Sequence, residues 1–319
     1  MESEGLLPCQ ADLIYDVGMH RGEDAAFYLR KGFRVVGFEA DPDLAEVCRQ
    51  RFTEHLADGR MVIVEGAIVD PASLHGPGGQ VEFYRNLDCS LWGTASPEYA
   101  RIRGDQRTSL SLVRVAPVQF RGCLQQYGVP YYMKIDIEGH GNACLEALEG
   151  ETSKPQYLSI ELELSAISGA DATILALEKL GYTGFQLVNQ NRIFEQVPPV
   201  PPREGSYACL SLESSASGLF GRELPPGWKS RDQVLRECRV LWLVDRLLGE
   251  RSRLGGLWMT LVAVPRLKAR KSGRTPRHGS TALRKLLARV HPGWYDIHAR
   301  HNSAGACSLL RRSKSATKG

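Results

Sequence analysis

Through roughly its first two thirds the chain alternates short apolar runs with amphipathic stretches. Asp12-Leu-Ile-Tyr-Asp-Val17 reads as a strand, and Glu23 to Lys31 as a helix that is acidic at its start, basic at its end and stopped by Gly32. Phe33 to Glu39 reads as the second strand, Asp43 to Phe52 as the next helix and Met61 to Glu65 as the third strand. A hairpin-like segment at Val81-Glu-Phe-Tyr84 interrupts the alternation, which resumes with Tyr131-Tyr-Met-Lys-Ile-Asp136. A helix over about Asn142–Leu148, a strand over Tyr157–Glu163 and a helix near Ala170–Leu180 follow, with strands near Phe185–Val188 and Tyr207–Leu212 completing the set. Strands joined by helices of this length form right-handed βαβ units, so the expected class is α/β with a mostly parallel sheet. Beyond it, Arg231–Gly249 places Val234, Cys238, Leu241, Val244 and Leu248 on one helical stripe, and Thr281–Val290 reads as a second helix.

Charge divides the chain further. Residues 1–219 carry 18 Lys+Arg against 30 Asp+Glu, whereas residues 220–319 carry 22 against 6. The Pro-rich stretches Val197-Pro-Pro-Val-Pro-Pro202 and Leu224-Pro-Pro-Gly-Trp228 punctuate the change, because neither fits inside a helix or central strand. The expected organisation is an N-terminal extension over 1–11, a catalytic domain over 12–215, a basic helical region over 216–302 and a disordered basic tail over 303–319. The basic stretch Arg266–Arg274 suits an anionic surface, nucleic acid or a phosphorylated substrate. No apolar run approaches the roughly 20 residues that span a bilayer, and no basic segment precedes an apolar one at the start. A soluble cytoplasmic chain is expected. The eight cysteines include no C-x-x-C pair and read as small core residues.

In open parallel sheets ligands bind beyond the carboxyl ends of the strands, beside the first. The residues there are Asp16-Val-Gly-Met-His-Arg-Gly22. Gly18 permits close backbone approach to a ligand, Gly22 allows tight packing as the helix opens, and Glu39 ends the second strand where a ribose diol would be held. The spacing is G-x-x-x-G, not G-x-G-x-x-G, and Asp16 would repel a pyrophosphate. A ligand with a cationic amino-acid end suits it, which turns the reading from a dinucleotide towards S-adenosylmethionine.

With Gly37-Phe-Glu-Ala-Asp-Pro42 and Met133-Lys-Ile-Asp-Ile-Glu-Gly-His140, this first loop resembles the FkbM-type family of class I S-adenosylmethionine-dependent methyltransferases. The third element is the most specific of the three, and the likeness runs from about Asp12 to Leu212. The resemblance implies a seven-stranded Rossmann-like sheet with its last strand antiparallel, and O-methylation of hydroxylated small molecules such as sugars, glycans and macrolides. It implies cofactor roles for Asp16, Gly18, Gly22, Glu39 and Ala40, with Gly66 and Ala67 bracketing the adenine. Two positions depart from the family pattern: Met19-His20 stands where many members carry small or amide residues, and Gly141 where an acid is common.

Independently of the family, Asp136, Glu138 and His140 at the end of the fourth strand suit the deprotonation of a hydroxyl. Alternatively Asp136, Glu138 and Glu161 could hold Mg²⁺, which would lower a hydroxyl pKa. No N-P-P-Y-type loop, which many amide and base methyltransferases use, follows that strand. Trp92, in the turn-rich Leu91–Ser96 insertion, and Asp296 and His298, in Gly293-Trp-Tyr-Asp-Ile-His-Ala-Arg300, are the substrate candidates; the latter segment is expected to fold back over the catalytic face. The alternative reading is a non-catalytic Rossmann-like adaptor that binds nucleic acid or membrane through its basic region.

Overall fold

The computed structural model describes residues 9–70, 77–104, 108–162, 167–210, 216–248 and 294–302. The N-terminal half begins with β1 (Gln10–Val17), α1 (Glu23–Arg30), β2 (Arg34–Glu39), α2 (Pro42–Arg51), α3 (Thr53–Ala57) and β3 (Met61–Glu65). After β4 (Val81–Asn86), α4 (Pro97–Gly104) and β5 (Leu110–Val115), alternation resumes with α5 (Phe120–Tyr127), β6 (Pro130–Ile135), α6 (Gly141–Glu149), β7 (Tyr157–Glu161), α7 (Ile167–Lys179) and β8 (Tyr182–Asn189). The described C-terminal elements are α8 (Arg231–Leu248) and β9 (Tyr295–His301).

Seven strands form one sheet in the order β3-β2-β1-β6-β7-β9-β8, while β4 and β5 pair only with each other. Every pairing in the large sheet is parallel except those of β9, which runs antiparallel to both neighbours. The order turns outward in both directions from β1 and β6, so their carboxyl ends flank the point where such sheets bind ligands.

Two expectations are corrected here. Residues 207–210 form no strand, and the seventh strand is Tyr295–His301, in the stretch assigned from sequence to the helical region. Its alternation explains the placement: Ile297 and Ala299 enter the core on one face of the sheet, and Asp296 and His298 lie on the other. The expected helix over Arg231–Gly249 forms as α8, whereas Arg266–Arg274, Thr281–Val290 and the tail lie outside the described residues.

Period-two alternation sorts each central strand between two cores. Leu13, Tyr15 and Val17 of β1, Met133 and Ile135 of β6, and Leu158 and Ile160 of β7 pack beneath α5, α6, α7 and α8. The opposite face, carrying Ile14, Tyr132 and Tyr157, packs against α1 and the segment around Phe220. Helix α1 has Ala25, Ala26, Phe27, Tyr28 and Leu29 all buried. At about 1.5–3 kcal/mol per large side chain, that burial fixes the helix against β2 and β1.

Candidate active site

Alternation also sends a row of polar side chains into the α1 face. Asp16 lies opposite Lys134, Lys134 opposite Ser159, Ser159 opposite His298, and His298 opposite Gln186, one residue from each of five neighbouring strands. All five are buried. Lys134 is the cation of the group: its Nζ lies 3.2 Å from Asp136 Oδ2, 3.3 Å from Asp24 Oδ2 and 3.5 Å from Asp16 Oδ1. Burial alone would lower the Lys134 pKa, but Asp136, Asp16, Asp24 and Asp296 hold it well above its usual value. It therefore stays charged.

One ammonium cannot satisfy so many carboxylates. Burial, opposed by Lys134, pushes Asp16 up to about 7, and Asp16 Oδ2 is enclosed without a hydrogen-bond partner. Burial also raises Asp24, whose carboxylate accepts the Ser217 N–H at 2.8 Å. A carboxylate oxygen left unsatisfied at the base of a glycine turn fits an ammonium donor, so Asp16 suits the amino-acid end of S-adenosylmethionine.

The turn above Asp16 is locked by backbone contacts. Gly18 and Met19 both donate to the carbonyl oxygen of Phe38 at 3.0 Å, and Gly18 adopts φ +81° directly against Asp136. Gly22 also has positive φ, and a Cβ there would strike the Phe52 ring at 2.3 Å. Met19 does not face the ligand side: its sulfur fills the place where a Gly37 side chain would stand, 2.3 Å from that ideal Cβ. His20 takes φ +53°. Its N–H donates to Glu39 Oε2 at 2.8 Å, while its ring meets Glu23 at 3.1 Å and the Ser90 hydroxyl at 2.8 Å.

Glu39 thus ties two loops together, its other oxygen accepting the Asp41 N–H at 2.9 Å. Burial raises its pKa to about 7 against these donors. The Ala40 backbone is a third donor, and a carboxylate offers about four acceptor positions, so the group remains fit to accept a ribose hydroxyl. Gly66 N–H donates to the Glu39 carbonyl, and Ala67 exchanges backbone bonds with Ala116 and Val118. Ala40 packs on the small core formed by Ala67, Val69, Val81, Phe83 and Val115. These residues gather at the ends of β2 and β3.

The β4–β5 hairpin is fastened over this edge. Arg85 grips Asp41, the N-cap of α2, through two hydrogen bonds of 2.6 and 2.5 Å and reaches Asp43 at 2.7 Å. The turn containing half-buried Trp92 then leads to Thr94, whose hydroxyl donates to the Glu138 carbonyl at 2.8 Å. Ser96 and Tyr99 crowd Gly139, which has φ +85°. The insertion that carries the substrate candidate Trp92 is therefore seated on the Glu138-Gly139-His140 turn.

Asp136 follows β6 directly and is partly exposed, its side chain held by Lys134. His140 caps α6, and burial holds its pKa below the usual 6.5 against opposing contributions from the Ala95 backbone and Asp70. It is consequently a neutral imidazole near pH 7. Gly141 is explained by packing: a Cβ would lie 2.8 Å from Ile160 Cδ1. Asp136, Glu138 and Glu161 do not converge: among the described residues no group of three or more His, Cys, Asp or Glu side chains could hold a metal ion.

The segment containing Asp296 and His298 does not fold back over the catalytic face; it is a strand within the sheet. His298 is 2% exposed, stacks on Tyr132 at 6.5 Å and is held near pKa 3 by burial. Asp296, also buried, lies opposite Glu161 near the ligand edge, with burial and Asp136 raising its pKa and Lys134 opposing. Sequence reasoning missed Asp24 as a member of this cluster. The available signal was its position in the first turn of a helix that opens at the ligand edge.

No curated protein matches this chain. Among solved structures, it is similar to a precorrin-6y C5,15-methyltransferase from Geobacter metallireducens GS-15 at 13% identity, covering 57% of this chain and 68% of that one, with a TM-score of 0.31. A phosphoethanolamine N-methyltransferase 2 from Haemonchus contortus, in complex with S-adenosyl-L-methionine, matches at 11% identity over 93% of this chain and 50% of its own, with a TM-score of 0.34. A SAM-dependent methyltransferase from Aquifex aeolicus matches at 13% identity over 58% and 78%, with a TM-score of 0.27. The methyltransferase FkbM domain matches residues 16–183, a span that begins at Asp16 and takes in the Lys134–His140 signature. With more than half of its length matched, the chain belongs to the FkbM family of S-adenosylmethionine-dependent methyltransferases.

Proposed function

We propose that this protein methylates a hydroxyl of a sugar, glycan or other small hydroxylated metabolite, with S-adenosylmethionine as donor. The observation that carries the cofactor reading is the enclosed, unpartnered Asp16 Oδ2 beneath the Gly18 turn, one strand from Glu39. Asp16 takes the ammonium end, Glu39 the ribose hydroxyls, and Ala40, Gly66 and Ala67 the adenine. Gly18 and Gly22 give the turn its close backbone path. Bound S-adenosylmethionine supplies an electrophilic methyl group.

The chain's own residues then have to remove a proton from the acceptor. A neutral imidazole is a competent base near pH 7, and His140, in the turn directly beyond the sheet edge, supplies one. Its Nε2 is enclosed without a hydrogen-bond partner, so a hydroxyl proton has a place to go. Asp136 is committed to Lys134 and is assigned the orientation of the acceptor; Glu138, through its carbonyl, fixes the turn to Thr94. As the acceptor oxygen gains the methyl group, its proton passes to His140 and from there to solvent. We assign Trp92 to the acceptor side as a substrate candidate, with Asp296, buried in β9 opposite Glu161, as the second. This route needs no metal.

Incubation with methyl-labelled S-adenosylmethionine and a panel of neutral glycosides tests the reading. A product heavier by one methyl group and stable to conditions that cleave esters and N-methyl ammonium groups supports it. Label found only on nitrogen or carbon overturns the hydroxyl assignment. Activity abolished by EDTA and restored by Mg²⁺ would replace the His140 route by one in which a metal lowers the hydroxyl pKa.

A further inference from the structure

Helix α8 buries one face and leaves the other apolar. Val234, Leu235, Cys238 and Leu241 face inward, with Val234, Leu235 and Cys238 in the main core. On the opposite side Val240 is 53%, Leu243 49% and Leu247 50% exposed. The i, i+3, i+7 spacing puts these three on one stripe about 10 Å long. Arg236, Arg239 and Arg246 are exposed on the same side or its flank, and Arg246 lies over the Trp242 ring at 5.2 Å. Of the helix's acids, Glu237 is taken by Lys229 at 2.6 Å and Asp232 is exposed in the first turn, against three exposed arginines beyond it.

An apolar stripe edged by arginines and an amphipathic Trp is the composition of a helix that lies in a membrane interface. Its position allows this, because α8 packs on α7 and on β8, the edge strand of the sheet. The sequence that follows α8, residues 249–293, carries eleven Lys+Arg and one acid, and includes Leu257-Trp-Met-Thr-Leu-Val-Ala-Val264. We propose that the outer face of α8 docks on an anionic lipid surface, with Val240, Leu243 and Leu247 entering the acyl boundary and Arg236, Arg239 and Arg246 meeting lipid headgroups. No described helix is long and apolar enough to cross a membrane, so the contact is peripheral. Nucleic acid is the poorer fit, because aliphatic side chains gain nothing from phosphates or base faces. A second copy is disfavoured as well, since two such faces would oppose arginine to arginine.

The experiment is flotation of the full chain with phosphatidylcholine vesicles, with and without about one third phosphatidylglycerol. Two variants accompany it, Val240→Ser/Leu243→Ser/Leu247→Ser and Arg236→Gln/Arg239→Gln/Arg246→Gln, each checked for unchanged thermal unfolding. Binding only to the anionic vesicles is expected. Each basic residue at such a surface is worth about fivefold, so the arginine variant should weaken binding by about a hundredfold. The apolar variant should weaken it at least about tenfold. Absence of binding to anionic vesicles overturns the proposal. So does equal binding by the apolar variant, which would assign the contact to charge elsewhere in the chain. Loss of a dimer in sedimentation by that variant would reassign the stripe to a second copy, and tighter binding to RNA than to the vesicles would reassign the face to nucleic acid.

Discussion

Gly18 and Asp136 meet backbone to backbone: a Cβ on Gly18 would stand 2.0 Å from the Asp136 carbonyl oxygen. The contact joins the tips of β1 and β6, the two strands whose ends carry Asp16 and the Lys134–His140 signature. Gly18→Ala must therefore part those tips and also strain a backbone at φ +81°. A loss of about 3 kcal/mol or more in urea unfolding is expected. Gly59 is the control, with φ +76° and nothing within 4 Å of its ideal Cβ. Gly59→Ala should cost only about 1 kcal/mol, and equal costs at the two positions would contradict the packing argument.

Asp16 should leave a pH signature on stability. Its native pKa of about 7 stands above the ordinary 3.8, so the folded chain holds a proton that the unfolded chain releases. Stability therefore falls as pH rises from about 4 to about 7, and the deficit is complete above that. Asp16→Asn removes the deficit. The variant should be more stable than wild type by about 1–3 kcal/mol at pH 8 and by much less at pH 5. A difference independent of pH would show that Asp16 is ionised throughout.

His140 is assigned the proton. His140→Ala should lower kcat by about 10² to 10⁴-fold while S-adenosylhomocysteine binding holds. Because burial keeps this imidazole below its usual pKa, the acid limb of the wild-type kcat profile should have its midpoint under pH 6.5, and the variant should lose that limb. A variant with wild-type kcat would remove His140 from the mechanism.

His298 occupies the core, so His298→Phe should act on stability rather than chemistry. A loss of about 1–2 kcal/mol with kcat changed by less than about threefold is expected. Collapse of kcat with stability and cofactor binding intact would instead give His298 a part in turnover.

The contrast between β1 and β9 shows what the sequence discloses and what it conceals. Asp12–Val17 announces itself as a buried strand, and the glycine turn and Glu39 follow at the distances that a βαβ unit imposes, so the edge that brings Asp16 and Glu39 together is legible. Tyr295–His301 has the same period-two alternation, yet it follows 105 residues after β8 in a basic context, and nothing local says that it returns to the sheet. Hence the local sequence points to a segment folding over the catalytic face and not to a strand for Asp296 and His298. Likewise Lys134 could be seen within its motif, but not that Asp16, Asp24 and Asp136 all converge on it. Only the register of β1 against β6, with α1 above, brings them together. The grip of Arg85 on Asp41 also escaped, because it joins an insertion to a helix cap across 44 positions of sequence.

The proposed function stands on a cofactor site at the edge between Asp16 and Glu39. Calorimetric titration of the purified protein with S-adenosylhomocysteine, beside Glu39→Ala, tests it most directly. The carboxylate holds the His20 and Asp41 amides and in the proposed function receives the ribose hydroxyls; hydrogen bonds to a charged group contribute about 1.5–3 kcal/mol. Micromolar binding by the wild type that weakens by about 10- to 100-fold in the variant is the predicted result. Absence of binding by a folded wild type, or equal affinity in the two proteins, would contradict it.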